Sequence, residues 1–322
     1  MFTIASFFAG VGGIDIGFEE TGEFKTVYAN EIDRFPAETF EKNFRIKVDQ
    51  RDIREIQADE VPDVDVIIGG FPCQAFSIAG YREGFKDRKD RGNLFFELAR
   101  IIEEKKPRVA MFENVKNLVS HDNGNTFRVI CKTLTEMNYH ISYQVLNAMD
   151  YGDIPQNRER IYIVAFRDVE DWQKFHFPLP IERRSTIRDV IDFQNEVDEK
   201  YYYRPGRYKG DIYEQLDEAT KNDDPKDPAV YQWRRKYVRQ NKSGVVPTLT
   251  ANQGMGGHNV CLIRTDYGIR KMTPRECFNA QGFPWYFQLP DQSDGHLYKQ
   301  AGNSVCVPVI ARIAGEILKA IY

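Results

Sequence analysis

One thiol, one carboxyl group and two guanidinium groups stand next to short apolar runs in this 322-residue chain. Pro72-Cys73-Gln74 follows the apolar run at residues 64–68 and the pair Gly69-Gly70. That order places the Cys73 thiol just outside the carboxyl end of a strand, where open parallel sheets bind their ligands. A free thiol is only a few per cent ionised at neutral pH, yet it is intrinsically very nucleophilic, and neighbouring cations raise the ionised fraction. Glu113-Asn114 ends the next run, and Gln156-Asn157-Arg158-Glu159-Arg160 leads into another. A carboxyl with guanidinium groups can hold a planar, amide-like ring by its edge. The carboxyl meets a ring nitrogen and an amino group, and an arginine meets the carbonyl oxygen.

A second constellation suits a nucleoside. Phe8-Ala9-Gly10-Val11-Gly12-Gly13 follows an apolar run, and Asn30-Glu31 ends the next one. The glycines let a ligand approach the backbone, and an acidic residue about 20 positions on accepts from ribose hydroxyls. The Gly-x-Gly-Gly spacing departs from the dinucleotide pattern, and Asp15 near the helix start would repel a pyrophosphate. A nucleoside carrying a positive sulfonium fits such an acidic turn better.

Short apolar runs alternate with helix-period segments over the first 170 residues or so, which predicts strand-helix units and a mostly parallel sheet covered by helices. Strands are expected at residues 2–8, 64–68, 109–112, 142–146 and 161–166. Helices are expected after the Gly-rich turn and from Asn93 to Lys106. Near Pro178 the composition changes, and residues 201–227 are rich in Tyr, Gly, Pro and charge, with almost no apolar periodicity. Pro308, Ile310, Ile313, Ile317, Leu318 and Ile321 restore an amphipathic helix, expected to return to the first domain.

Apolar residues at 42% and charged residues at 29% describe a globular chain and exclude disordered, collagen-like and multi-span membrane classes. The net charge of −4 offers no global polycation, so a nucleic-acid partner must meet a local patch. Five widely separated cysteines, with no Cys-x-x-Cys pair, predict neither a disulfide framework nor a metal site. The amino terminus has no basic or long apolar segment, and no window reaches about 18 uninterrupted apolar residues, so a cytoplasmic location without membrane contact is expected.

Read in order, these motifs resemble the DNA (cytosine-5)-methyltransferase family of bacterial restriction-modification systems. They are Phe8 to Gly13, Asn30-Glu31, Asp52-Ile53, Gly70-Phe71-Pro72-Cys73-Gln74, Gly92-Asn93-Leu94-Phe95 and Glu113-Asn114-Val115. Further on come Gln156-x-Arg158-x-Arg160, Arg275-Glu276-Cys277 with Gln281-Gly282-Phe283-Pro284, and Gly302-Asn303-Ser304-Val305. The resemblance implies a Rossmann-like S-adenosylmethionine-dependent α/β domain plus a smaller, irregular target-recognition domain. The expected boundaries are a catalytic domain at 1–179, recognition at 180–285, and a hinge with the returning helix at 286–322.

The same resemblance implies methyl transfer to carbon 5 of a flipped-out cytosine in duplex DNA through a Cys73 adduct, with Glu113, Arg158 and Arg160 as the other catalytic residues. The implied cofactor contacts are Phe8, Ala9, Gly10, Gly12, Gly13, Glu31, Ile32, Asp52, Ile53, Pro72, Leu94, Asn303 and Ser304. Ile32 stands where an aromatic residue often packs on adenine, and Asp153 lengthens the usual Tyr-Gly-x-Pro-Gln turn by one residue. The stripe at residues 233–242 has five basic and no acidic residues, which suits phosphates. Expected DNA contacts are Gln74, Ser77, Arg234, Arg235, Arg239, Thr248, Thr250 and His258. The chain is expected to act as a monomer, alongside a cognate restriction endonuclease without a stable complex. Alternatives are cytosine-5 methylation of a structured RNA and a non-catalytic DNA-binding regulator.

Overall fold

The computed structural model describes residues 1–72, 94–207, 210–224, 227–234, 236–241, 243–253 and 260–322. The chain divides into two compact units. The first comprises Met1–Leu146, Glu159–Leu179 and Val309–Tyr322, and the second Asn147–Arg158 and Pro180–Pro308.

The strands are β1 (Phe2–Phe7), β2 (Phe24–Asn30), β3 (Val66–Gly69), β4 (Val109–Val115), β5 (His140–Asn147), β6 (Gln156–Asn157) and β7 (Glu159–Phe166). The main sheet runs β2-β1-β3-β4-β7-β5. β2, β1, β3 and β4 pair in parallel, and β7 joins β4 antiparallel. The expected mostly parallel α/β sheet is therefore present. Strands such as β3, buried along their whole length, read as continuous apolar runs because both faces of a parallel sheet are covered. Phe71, Phe95, Leu98, Ile101, Ile102, Phe112 and Ile163 share one core that joins the helix Leu94–Lys105 to the sheet. In the helix Val307–Ile321, Ile310 lies so close to Gly17 that a β-carbon there would stand 2.5 Å from its Cγ2. Only glycine permits that approach.

The second unit holds β8 (Tyr231–Trp233), β9 (Val238–Gln240), β10 (Val246–Pro247), β11 (Cys261–Thr265) and β12 (Gly268–Lys271). A four-stranded antiparallel sheet has the order β12-β11-β8-β9, and β10 pairs in parallel with β6. The segment expected to lack regular structure contains the helix Ile212–Thr220. Ile212, Leu216 and Thr220 fall on one face at intervals of four, and Leu216 is fully buried against Tyr203, Tyr231 and Leu262. Two helical turns are too few for a clear period among so many polar residues. Among the described residues, no helix is long and apolar enough to cross a membrane.

Candidate active site

Antiparallel register fixes the first contact. Glu113 on β4 faces Tyr162 on β7, and Val115 faces Arg160, so Glu113 and Arg160 are diagonal neighbours on one face. Arg160 Nε lies 3.1 Å from Glu113 Oε1, and both side chains are largely buried. Arg160 Nη1 donates to the Glu159 carbonyl at 2.9 Å, which leaves Nη2 without a hydrogen bond among the described residues. A β-carbon on Gly70 would meet Glu113 Oε2 at 3.8 Å, so the carboxyl sits against the backbone at the end of β3. Asn114 anchors that backbone: its Nδ2 donates to the Phe71 carbonyl at 2.8 Å, and its Oδ1 accepts from Val115 N at 2.8 Å. Glu113 and Asn114, adjacent on a strand, therefore divide the work by facing opposite ways. Pro72 follows, exposed. Cys73, Gln74, Ser77 and Asn93 lie outside the described residues.

The Gly-rich turn is built from left-handed backbone at Phe8 (φ 52°), Gly10 (φ 55°) and Gly12 (φ 84°). Its glycines have different reasons. A β-carbon on Gly12 would stand 2.2 Å from the Phe44 ring, whereas one on Gly10 would meet nothing nearer than 4.0 Å. Gly12 thus serves close packing and Gly10 an open surface, with Gly13 buried at the helix start. Glu31 spans the turn: Oε2 accepts from Gly10 N at 3.0 Å and Oε1 from Asp33 N at 2.8 Å. Beside it Ile32 is 60% exposed. A fixed carboxylate next to an uncovered apolar side chain and open backbone fits a nucleoside, with acceptors for ribose hydroxyls and a surface for a base.

Asp15 goes elsewhere. Sequence spacing has it facing a ligand, but it is fully buried beneath the turn, where Oδ2 accepts from Ser6 Oγ and Oδ1 from Thr26 Oγ1, both at 3.0 Å. Burial pushes its carboxyl up to about 7, against the opposing pull of those two hydroxyls. Its register on the inward face of a short helix is a tertiary matter. Asp52 caps the turn Ile53–Glu55 and grips Arg54, whose guanidinium holds the carboxyl below its usual range. Ile53 belongs to the core, with Phe8 and Leu94 partly buried against it. Ala9 closes the turn through its carbonyl, which accepts from Gly12 N at 2.9 Å.

Arg158 departs from its neighbour two positions on. It falls in the break between β6 and β7, is 2% exposed, and belongs to the second unit. Its Nη1 donates to the Leu249 carbonyl at 2.9 Å, and its Nη2 to the carbonyls of Gly302 (3.2 Å) and Ser304. Asp153 adopts a left-handed φ of 47° and accepts from Arg184 N and Ser185 N. Asn303 and Ser304 close the helix Asp294–Asn303.

Thr248 Oγ1 donates to the Asn157 carbonyl at 2.6 Å. Thr250 Oγ1 and both amide atoms of the buried Gln253 have no hydrogen-bond partner among the described residues. Arg234 opens the turn of the β8–β9 hairpin, and Arg239 on β9 donates to Gln232 Oε1 at 2.7 Å. Arg235 and His258 lie outside the described residues. Among those described, no cluster of His, Cys, Asp and Glu could hold a metal ion. The anchoring role of Asn114 and the buried Gln253 amide, without a hydrogen-bond partner among the described residues, have no signal short of a three-dimensional neighbourhood.

Residues 2–319 match the model of the C-5 cytosine-specific DNA methylase family. The chain is 58% identical over 320 residues, 99% of each protein, to the Type II methyltransferase M.Bsp6I of a Bacillus species. It is 39% identical to M.HhaI of Haemophilus parahaemolyticus, covering 96% of this chain and 92% of that one. Among solved structures, a Spodoptera frugiperda DNMT2 variant superposes with a TM-score of 0.75 at 21% identity, over 99% of this chain and 100% of that one. The Entamoeba histolytica methyltransferase EhMeth gives 0.73 at 18% identity, over 100% and 99%. These two speak for the fold, and the family match over nearly the whole length settles membership: the chain belongs to the C-5 cytosine-specific DNA methylase family.

Proposed function

We propose that this protein is a sequence-specific Type II DNA methyltransferase that modifies carbon 5 of a flipped-out cytosine in duplex DNA through a covalent Cys73 adduct. The observation that carries the reading is the Glu113–Arg160 pair set against Gly70, three residues before the cysteine. The names of the Type II relatives support the restriction-modification setting, in which methylation protects host DNA from an endonuclease acting on the same sequence. Action as a cytoplasmic monomer belongs to the same reading.

Cytosine carbon 6 is shielded in a duplex, so the base must leave the stack at a cost of about a few kcal/mol that protein contacts offset. The Cys73 thiolate then bonds to carbon 6, and the electron pair of the 5,6 double bond shifts toward carbon 5. Glu113 stabilises the charge that builds on nitrogen 3, as hydrogen-bond donor or proton source. Arg160 orients Glu113 through Nε and offers Nη2 to the carbonyl oxygen. Once carbon 5 carries the methyl group, loss of its remaining proton to a base restores the 5,6 double bond and expels the thiolate. When bound, S-adenosylmethionine supplies an electrophilic methyl group on a sulfonium. Glu31 would accept from its ribose hydroxyls and Ile32 would cover the adenine, with Phe8, Gly10, Asp52, Pro72, Leu94, Asn303 and Ser304 assigned by motif.

Arg234, Arg235 and Arg239 are assigned to phosphates, and Gln74, Ser77, Thr248, Thr250 and His258 to the target. The test is transfer of labelled methyl groups to mixed-sequence duplex DNA and to transfer RNA, with Cys73→Ala as control and base-resolution mapping. Labelled 5-methylcytosine within one short DNA motif, abolished by Cys73→Ala, is expected. Label in transfer RNA alone, or a Cys73→Ala protein retaining a tenth of the turnover, overturns the reading.

A further inference from the structure

Four separate stretches of the second unit meet in one buried polar network. Leu249 is held at both backbone groups: its N–H donates to Gln156 Oε1 at 3.2 Å, and its carbonyl accepts from Arg158. Gln156 Nε2 donates to the Ala280 carbonyl at 2.6 Å and to Gln281 Oε1 at 3.1 Å, and Gln281 Nε2 to the Ala301 carbonyl at 2.8 Å. Arg158 closes the ring on the carbonyls of Gly302 and Ser304. Gln156, Gln281, Arg158 and Leu249 are all nearly inaccessible to solvent. Gly302 makes the closest approach, since a β-carbon there would stand 2.2 Å from the Thr250 carbonyl carbon. The glycine of the Gly302-Asn303-Ser304-Val305 motif is thus required by the backbone of residue 250.

We propose that Arg158 is a positioning residue that ties the stretch Thr248–Thr250 to the turn Gly302–Ser304, so that occupancy of the DNA-recognition stretch is felt at the cofactor and the reverse. The inference rests on the proposed assignment of those two stretches to DNA and to S-adenosylmethionine. A guanidinium fork reaches several carbonyls at once, and a displacement of any one of them must move the others or break a buried hydrogen bond. Lysine keeps the charge but concentrates three donors at a single point and cannot span them.

The experiment measures the dissociation constant of S-adenosylmethionine with and without target duplex, together with kcat at saturation, for wild type, Arg158→Lys and Gly302→Ala. In the wild type, duplex is expected to tighten the cofactor by a factor of about 5 or more, within the usual range of site coupling. In both variants that factor should fall toward unity, while kcat at saturation falls by less than about tenfold, because no transition-state contact is lost. A kcat loss of about a hundredfold or more in Arg158→Lys with the coupling intact would mark a direct contact to the reacting base and overturn the proposal. A wild type that methylates DNA without any coupling overturns it as well, leaving the functional reading untouched. A wild type inactive on DNA removes both. Should Arg158→Lys fail to fold by circular dichroism, Gly302→Ala carries the same test.

Discussion

Replacing Asp15 by Asn should change how stability depends on pH, and the structure gives the size. The carboxyl is fully buried, bonded by two hydroxyls and raised to about 7 in the folded protein. In the unfolded chain it titrates near its ordinary value of about 3.9, so between these values the folded state binds a proton that the unfolded state has lost. Stability from this group is therefore fully present below about pH 4 and falls as pH rises, by about 1.4 kcal/mol per unit, to a plateau above about pH 7. The total is of the order of 4 kcal/mol, and about 2 to 3 kcal/mol of it falls between pH 5 and pH 8. Asn is nearly isosteric and does not titrate, and the Ser6 and Thr26 hydroxyls can rotate to suit its oxygen and amide. Urea unfolding of both proteins across that window should show the Asn variant gaining on wild type as pH rises. Every other titrating group is common to both and cancels in the difference. Parallel stability curves would refute the reasoning, because they would mean that the carboxyl ionises as freely in the folded state as in the unfolded one.

Asn114→Ala removes the donor to the Phe71 carbonyl; a buried acceptor left unmet costs about 1–3 kcal/mol. Turnover should fall more than DNA affinity, and equal falls in both would separate Asn114 from the placement of the segment leading to Cys73. Gln253→Met should leave the free protein as stable or slightly more so, since both amide atoms lack partners among the described residues. Mapping of methylated sites should show altered sequence preference, and an unchanged preference with lowered stability would mean that the amide serves the fold. Arg239→Ala should weaken binding to all duplex sequences and reduce the slope of log affinity against log salt by about one. A salt slope equal to that of wild type would take β9 out of the interface.

Local chemistry carried much of this site into the sequence. Glu113 and Arg160 were visible because strand ends have a recognisable grammar, and the antiparallel register of β4 and β7 then made them neighbours. Glu31 was legible for a related reason: an acidic residue ending the second strand falls beside a glycine turn ending the first whenever the two strands pair in parallel. The helix Ile212–Thr220 was not legible, because two turns give too short a period against a polar background.

What the sequence by itself determined was the order of elements, the α/β class, the family and the residue types brought to the strand ends. Those depend on local propensity and spacing, which a linear chain records. Tertiary structure alone decided the direction of three side chains that the sequence left equivalent. Asp15 turns under the helix instead of toward the glycine turn. Arg158 reaches residues 249, 302 and 304, while Arg160, two positions on, meets Glu113. The physical reason lies in the break between β6 and β7: alternation along one strand would have put both arginines on one face, and a single irregular residue removes that constraint. Gly302 follows the same logic, since a glycine that exists to admit the backbone of residue 250 has its cause 52 positions away.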